Sequence, residues 1–233
     1  MKKPKKITVK FFLNKLVKPV KENKALSYPL YMLIIYNRKN TSIKSHYGGF
    51  YKSLEEAGKA HYPGFFDFEE RIVKKTVEYE LARKGESFDL KGLHDKYEKY
   101  CIGIDVLFAS YMKNSLWTML VRCEPQKYVF ALNFNEPNVE FVTLYEMAQK
   151  LYKDFNKVVS REFKEEIEAY TNFMKLYQGS FFQYTFPTVI EWLDKAAEQD
   201  YRTKLKQIYK KDIDMIEKSL SVVNKVVFSM GEV

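Results

Sequence analysis

Between Ile7 and Leu13 the chain alternates, with Ile7, Val9, Phe11 and Leu13 on one parity and Thr8, Lys10 and Phe12 on the other, the period of a half-buried strand. A Lys-rich connection over 14–27 shows no clear period. Tyr28 to Tyr36 is apolar or aromatic on both parities, as a central strand is. Asn37-Arg38-Lys39-Asn40 then supplies turn chemistry, since Asn tolerates the left-handed backbone that hairpins require. From Thr41 to Tyr47 the alternation resumes, Thr41, Ile43, Ser45 and Tyr47 against Ser42, Lys44 and His46, and Gly48-Gly49 closes it. The pattern predicts a three-stranded antiparallel meander, marginal without a cover on at least one face.

The period changes to helical after that point. Asp67 to Lys84 carries Ile72, Thr76, Tyr79 and Val73, Val77, Leu81 on a stripe, with Gly85 as its stop. This helix is the predicted cover. A short helix through Leu90, Leu93 and Tyr97 follows, with Asp89 available as cap. Residues 1–100 therefore read as one basic α+β head, and 101–233 as a mainly helical domain.

In the second part, Val106 to Val121 reads as an apolar-rich helix capped by Asp105 and ended by Pro125. Tyr128–Phe134 and Val139–Val142 read as a hairpin. Thr143-x-x-Glu146 has capping-box spacing and opens a helix with Leu144, Ala148, Leu151, Phe155 and Val158 inward. Its period runs on through Phe163, Ile167, Tyr170 and Met174, as one helix or as two broken near Ser160. Pro187 suits the first turn of a helix bearing Ile190 and Leu193. A last helix steps through Tyr209, Ile213, Ile216, Leu220, Val223 and Val227. That stripe is either a core face or a seam for a homodimer. The fold class is α+β: a small three-stranded antiparallel sheet with a packed helix at the N-terminus, then a mainly α-helical bundle.

Composition supports a packed core, with 46% apolar and 16% aromatic residues in a chain of 233. No apolar stretch has the roughly 18–20 uncharged residues of a membrane span. Lys10, Lys15 and Lys18 interrupt the apolar run behind the basic start, a pattern that argues against an exported protein. A cytoplasmic protein without a membrane partner is expected. Cys101 and Cys123 form no CxxC unit and read as buried thiols in a reducing compartment.

Motifs for chemistry are missing. His46, His61 and His94 are the only histidines, and none has a ligand spacing to another His or Cys. There is no GxxxxGK[ST] loop, no GxGxxG after a strand and no GxSxG elbow. Glu162, Glu165, Glu166 and Glu168 spread around a helix among Arg161 and Lys164, as a solvated face does. No catalytic residue, metal or cofactor is expected.

Charge changes the picture. Residues 1–60 hold fourteen Lys/Arg and three Asp/Glu, a net +11, whereas the whole chain is +9 and residues 61–233 sum to −2. A local basic field attracts polyanions while a neutral body does not. Lys10, Arg38, Lys39, Lys44 and Lys52 come from different strands or turns, flanked by Asn40, Thr41 and Ser42. Such cations anchor phosphates, and a small sheet can enter the major groove. Lys2, Lys3, Lys5 and Lys6 form an arm for phosphate or minor-groove contacts. Tyr31, Leu33 and Ile35 count against this, because they give the central strand a second apolar face that DNA would leave wet.

The strand Ile7–Leu13, Tyr28-Pro29-Leu30-Tyr31 leading into a hydrophobic strand, the basic Asn37-Arg38-Lys39 turn, the strand Thr41–Tyr47 and a following helix resemble the arm-type DNA-binding domain of tyrosine integrases of bacterial mobile elements. The resemblance implies a three-stranded sheet with a helix packed on it, whose sheet binds DNA, and makes Arg38, Lys39, Ser42 and Lys44 contact candidates. Such heads often place a Trp soon after the third strand, where this chain has Phe50-Tyr51. The catalytic integrase domain requires a His-x-x-Arg in its C-terminal half; here no histidine follows His94 and none begins that motif.

The reading that follows is a non-enzymatic protein binding duplex DNA through Lys10, Arg38, Lys39, Ser42, Lys44 and Lys52. The alternative is an interaction or structural module that oligomerises through sheet and helical surfaces. An enzyme with an unfamiliar site predicts a deep polar pocket whose titratable groups have displaced pKa values.

Overall fold

The computed structural model describes residues 6–22, 25–123, 139–152, 154–177, 186–210 and 212–229. It is an α+β protein, with an antiparallel sheet in the N-terminal part and a helical bundle after it. The chain forms two compact units, one of 1–102 with 180–184 and 188–195, the other of 103–179, 185–187 and 196–233. Among the described residues no helix is long and apolar enough to cross a membrane.

The first unit is organised on one strand. β1 (Thr8–Leu13), β2 (Val20–Glu22), β4 (Lys39–Lys44) and β5 (Phe50–Tyr51) all pair antiparallel with the twelve-residue β3 (Ala25–Tyr36). The sheet thus has five strands instead of a three-stranded meander, since β2 lies within the segment read as a connection and β5 follows the Gly pair. β3 and β4 meet at a two-residue turn, Asn37 (φ 50°) and Arg38 (φ 62°), closed by the Tyr36 and Lys39 pair. Positive φ at both positions matches the right-handed twist of the strands.

Three helices follow: α1 (Leu54–Ala60), α2 (Phe65–Lys84) and α3 (Leu93–Tyr100). Ser53 starts α1 by accepting the Glu56 N–H at 3.1 Å, a Ser-x-x-Glu signal that periodicity alone passes over. Gly92, at φ 72°, precedes α3; Asp89, read as its cap, lies outside the helix. α2 buries Phe65, Ile72, Val73 and Val77 as its spacing requires, but it also buries Glu69 and Glu80. Glu80 receives Lys96 and the Tyr100 hydroxyl (3.0 Å), which fastens α2 to α3.

Residues 188–195 return to this unit, although the sequence reading places them with the helical part. Thr188 and Glu191 form a capping box that starts the short α8 (Val189–Leu193), so Pro187 precedes the cap instead of occupying the first turn. Arg71 and Lys75 of α2 pair with Glu191 and Asp194.

The second unit contains α4 (Ile104–Cys123), α5 (Phe141–Leu151), α6 (Phe155–Val158), α7 (Arg161–Tyr177), α9 (Ala196–Tyr209) and α10 (Ile213–Phe228). Phe108, Met112, Leu116 and Leu120 bury one stripe of α4, whose first turn includes Asp105, so Asp105 is no cap. α5 begins at Phe141, because Phe141 and Leu144 are buried together; this overturns both Thr143 as the opening residue and Val139–Val142 as a strand. Tyr128–Phe134 and Pro125 lie outside the described residues. The long period after Leu144 is broken twice, and Ser160 starts α7 by accepting the Phe163 N–H at 3.1 Å.

The last stripe also divides. Lys210 turns left-handed (φ 54°) after α9, and Asp212 caps α10 through the Met215 N–H. Ile216, Leu220, Val223 and Val227 are buried within the unit, where α10 packs on α4, α7 and α9. That packing occupies the stripe read as a homodimer seam.

Glu69 offers a direct check on this packing. Its carboxyl is fully buried; Oε1 accepts from Ser45 Oγ (2.7 Å) and the Tyr97 hydroxyl (2.8 Å), and Oε2 has no partner. Burial raises its pKa above the ordinary value, and the hydrogen bonds from Ser45 and Tyr97 oppose that only in part. A raised carboxyl contributes stability that is complete below its unfolded pKa and is lost as pH rises through the folded one. Glu69→Gln reproduces the neutral form. The variant should remove this loss, so that in thermal melts across the acidic to neutral range its midpoint falls less than that of the parent.

Candidate functional site

Register gives the sheet two unlike faces. Opposed residues on neighbouring strands share a face, and successive residues alternate. One face carries the rows Thr8–Ile35–Asn40, Lys10–Leu33–Ser42 and Phe12–Tyr31–Lys44. The other carries Val9–Ile34–Thr41 and Phe11–Met32–Ile43, with Lys39 opposite Tyr36 at the turn.

Helices cover the second face. Met32 and Ile34 are fully buried there, Phe11 packs on Phe66 of α2 at 4.6 Å between ring centroids, and Tyr36 packs on Phe88. On the first face Lys10, Asn40, Ser42 and Lys44 are exposed, and Phe12, Tyr31, Leu33 and Ile35 are partly so. This face is open.

The six predicted contact residues separate on this geometry. Lys10, Ser42 and Lys44 share the open face, the two lysines on strands either side of β3. Paired strands are about 5 Å apart, which puts the outer strands roughly 10 Å from each other. Arg38 is exposed at the tip of the turn. Lys39 belongs to the opposite face, because one residue of register reverses a side chain, and its ammonium lies 3.7 Å from Asp89. Lys52 stands outside the three strands; its N–H donates to Glu56 at the start of α1. Lys2, Lys3 and Lys5 lie outside the described residues, and Lys6 is exposed.

The electrostatics of the open face are one-sided. β1, β3 and β4 contain no acidic residue. Among the described residues, neither Lys10, Arg38 nor Lys44 pairs with a carboxylate. The end of β4 is held in place from behind. Ser45 donates to Glu69, the Tyr47 hydroxyl donates to the Cys101 carbonyl at 2.7 Å, and Lys44, one residue earlier, is directed outward. Burial, with Glu69 and Tyr47 nearby, keeps the Tyr97 hydroxyl protonated. Burial pushes the Cys101 thiol up to about 12, so it stays an unreactive thiol.

Sequence reasoning overlooked one feature of this face. The rings of Phe12 and Tyr31 lie side by side with centroids 6.0 Å apart. Phe12 occupies the polar parity of β1, and that exception is the signal that marks it.

The histidines are dispersed. His61 Nε2 meets the Tyr51 hydroxyl at 2.6 Å and its ring stacks on Phe65, and His94 lies by Glu98. His46 is exposed, and burial of part of its ring lowers its pKa. Among the described residues no group of His, Cys, Asp and Glu has the arrangement of a metal site.

The helical unit has a groove of about 650 Å³ lined in part by Ser110, Asn114, Thr118 and Ser160. Three of its ionised groups, Lys225, Glu162 and Glu166, pair with one another. Lys225 donates to Glu166 (2.7 Å) and Glu162 (3.0 Å), and the Tyr111 hydroxyl donates to Glu166 (2.7 Å). Glu166 above all raises the Lys225 pKa, as a paired ammonium requires.

Comparison of the chain with protein-family models, curated proteins and solved structures finds no match. The functional reading rests on the open face of the sheet.

The ion cluster in the groove predicts a stability effect. Lys225→Met leaves the buried Glu166 carboxylate without its cation, held by the Tyr111 hydroxyl alone, and should cost about 1–3 kcal/mol, read as a lower urea midpoint. Glu162→Gln removes an exposed partner and should change the midpoint by less than about 0.5 kcal/mol.

Proposed function

We propose that this chain is a non-enzymatic protein that binds duplex DNA through the open face of its N-terminal sheet. The observation that carries the reading is the placement of Lys10 and Lys44, from separate strands, on one exposed face whose strands β1, β3 and β4 contain no acidic residue. Cations so placed neutralise phosphates and release counterions, while Asn40 and Ser42 on the same face offer hydrogen bonds to base edges. Arg38 extends the field at the turn. Lys39, tied to Asp89, and Lys52 contribute general charge and no direct contact.

The order of strands, basic turn and helix supports kinship with the arm-type heads of mobile-element integrases, in a chain that lacks their His-x-x-Arg. A cytoplasmic protein accompanies this reading, with the helical unit holding a protein partner.

A specific observation favours the second reading, an interaction module. Tyr31, Leu33 and Ile35 remain partly exposed at the centre of the open face. Light scattering separates the two, because a large salt-insensitive assembly without DNA affinity belongs to the module.

Salt dependence tests the proposal. In mobility-shift titrations at two salt concentrations, Lys10→Ala and Lys44→Ala should each lower the log–log slope by roughly 0.9, and Lys39→Ala should leave it almost unchanged. No shift at low salt ends the reading.

A further inference from the structure

The open face carries more than charge. Its centre is a partly exposed apolar strip of Tyr31, Leu33 and Ile35, with Phe12 beside Tyr31. Lys44 stands opposite Tyr31 on β4, and Lys10 precedes Phe12 by two residues on β1. Paired positions are about 5 Å apart and alternate residues about 7 Å, so each cation is one such step from a ring. Ser42 and Asn40 complete the rows on the same face.

A duplex is a poor partner for the centre of this surface. Its groove presents base edges rich in donors and acceptors, and the thymine methyl is the main apolar group there. Pressing Tyr31, Leu33 and Ile35 onto those edges removes water from polar atoms without replacing their hydrogen bonds. An unpaired base offers a π face instead. Aromatic side chains stack on it, cations beside them hold the backbone, and small polar side chains meet the freed Watson–Crick edge.

We propose that the open face binds single-stranded DNA in preference to duplex, with Phe12 and Tyr31 as the stacking platform and Lys10 and Lys44 on the flanking phosphates. This rests on the proposal that the open face is where nucleic acid binds, and it puts a single strand in place of the duplex as the preferred form of DNA. The apolar strip that weighs against a duplex becomes the base-contacting centre of the site. Lys39 and Lys52, off this face, take no part.

Fluorescence anisotropy on the full chain tests it, with a short labelled oligothymidine, the matching thymidine–adenosine duplex and an oligouridine of equal length. The oligothymidine should bind more tightly than the duplex. Phe12→Ala and Tyr31→Ala should each weaken its binding about tenfold while leaving the salt slope unchanged, and Tyr31→Phe should retain binding. Circular dichroism melts show whether the alanine variants are folded, and if they are not the parent's preference for oligothymidine over the duplex carries the test. Duplex binding that depends on Lys10 and Lys44, with no single-strand preference, overturns this inference and leaves the duplex reading standing. Absence of binding to any of the three at low salt overturns both. Tighter binding to oligouridine than to oligothymidine overturns the assignment to DNA.

Discussion

The architecture of the first unit depends on one strand, Ala25–Tyr36, to which every other strand of the sheet hydrogen-bonds. A side-chain period of two makes its register a switch, since a slip of one residue would exchange the faces. Fully buried Met32 and Ile34, with Ile43 of the neighbouring strand almost as deep, fix that register through the energy of a covered apolar face. Lys10, Ser42 and Lys44 are then outward by necessity, as neighbours of inward residues. The same rule removes Lys39 from the group, although it is adjacent in sequence to Arg38.

Polar groups also hold the covered side. Glu69 accepts hydrogen bonds from Ser45 just past β4 and from Tyr97 on α3, and it sits on α2. A buried carboxyl without a cation is expensive, and it is tolerated here because three elements converge on it. The open face is therefore backed by a network that leaves the end of β4 little freedom. Ion pairs complete both units, Lys96 with Glu80 in the first and Lys225 with Glu162 and Glu166 in the helical one.

Much of the fold is legible in the sequence where period and burial agree. Alternation at Thr41–Tyr47 matches the exposure of Ser42, Lys44 and His46, and the stripe of Ile72, Val73, Thr76 and Val77 is buried in α2. Boundaries are less legible because caps and left-handed residues set them. Lys210 splits the final stripe without a Gly or Pro to announce it, and Ser160 restarts a helix inside a continuous apolar period. Buried Glu69 is invisible to any polarity pattern, since only the fold brings Ser45 and Tyr97 to it. For the site, the sequence supplies the cations but not their sorting. Lys39 looks equivalent to Lys44 until strand register separates them, and Phe12 looks like noise in an alternating strand until Tyr31 is placed beside it.

The central claim is that the open face, and not the general charge of the N-terminal part, meets nucleic acid. Lysine acetylation footprinting read by mass spectrometry, with and without a DNA oligonucleotide, tests it residue by residue. The account predicts that DNA protects Lys10 and Lys44 strongly while Lys39 and Lys52 react as before. Equal protection of all four, or protection of Lys39 and Lys52 in place of Lys10 and Lys44, would contradict it.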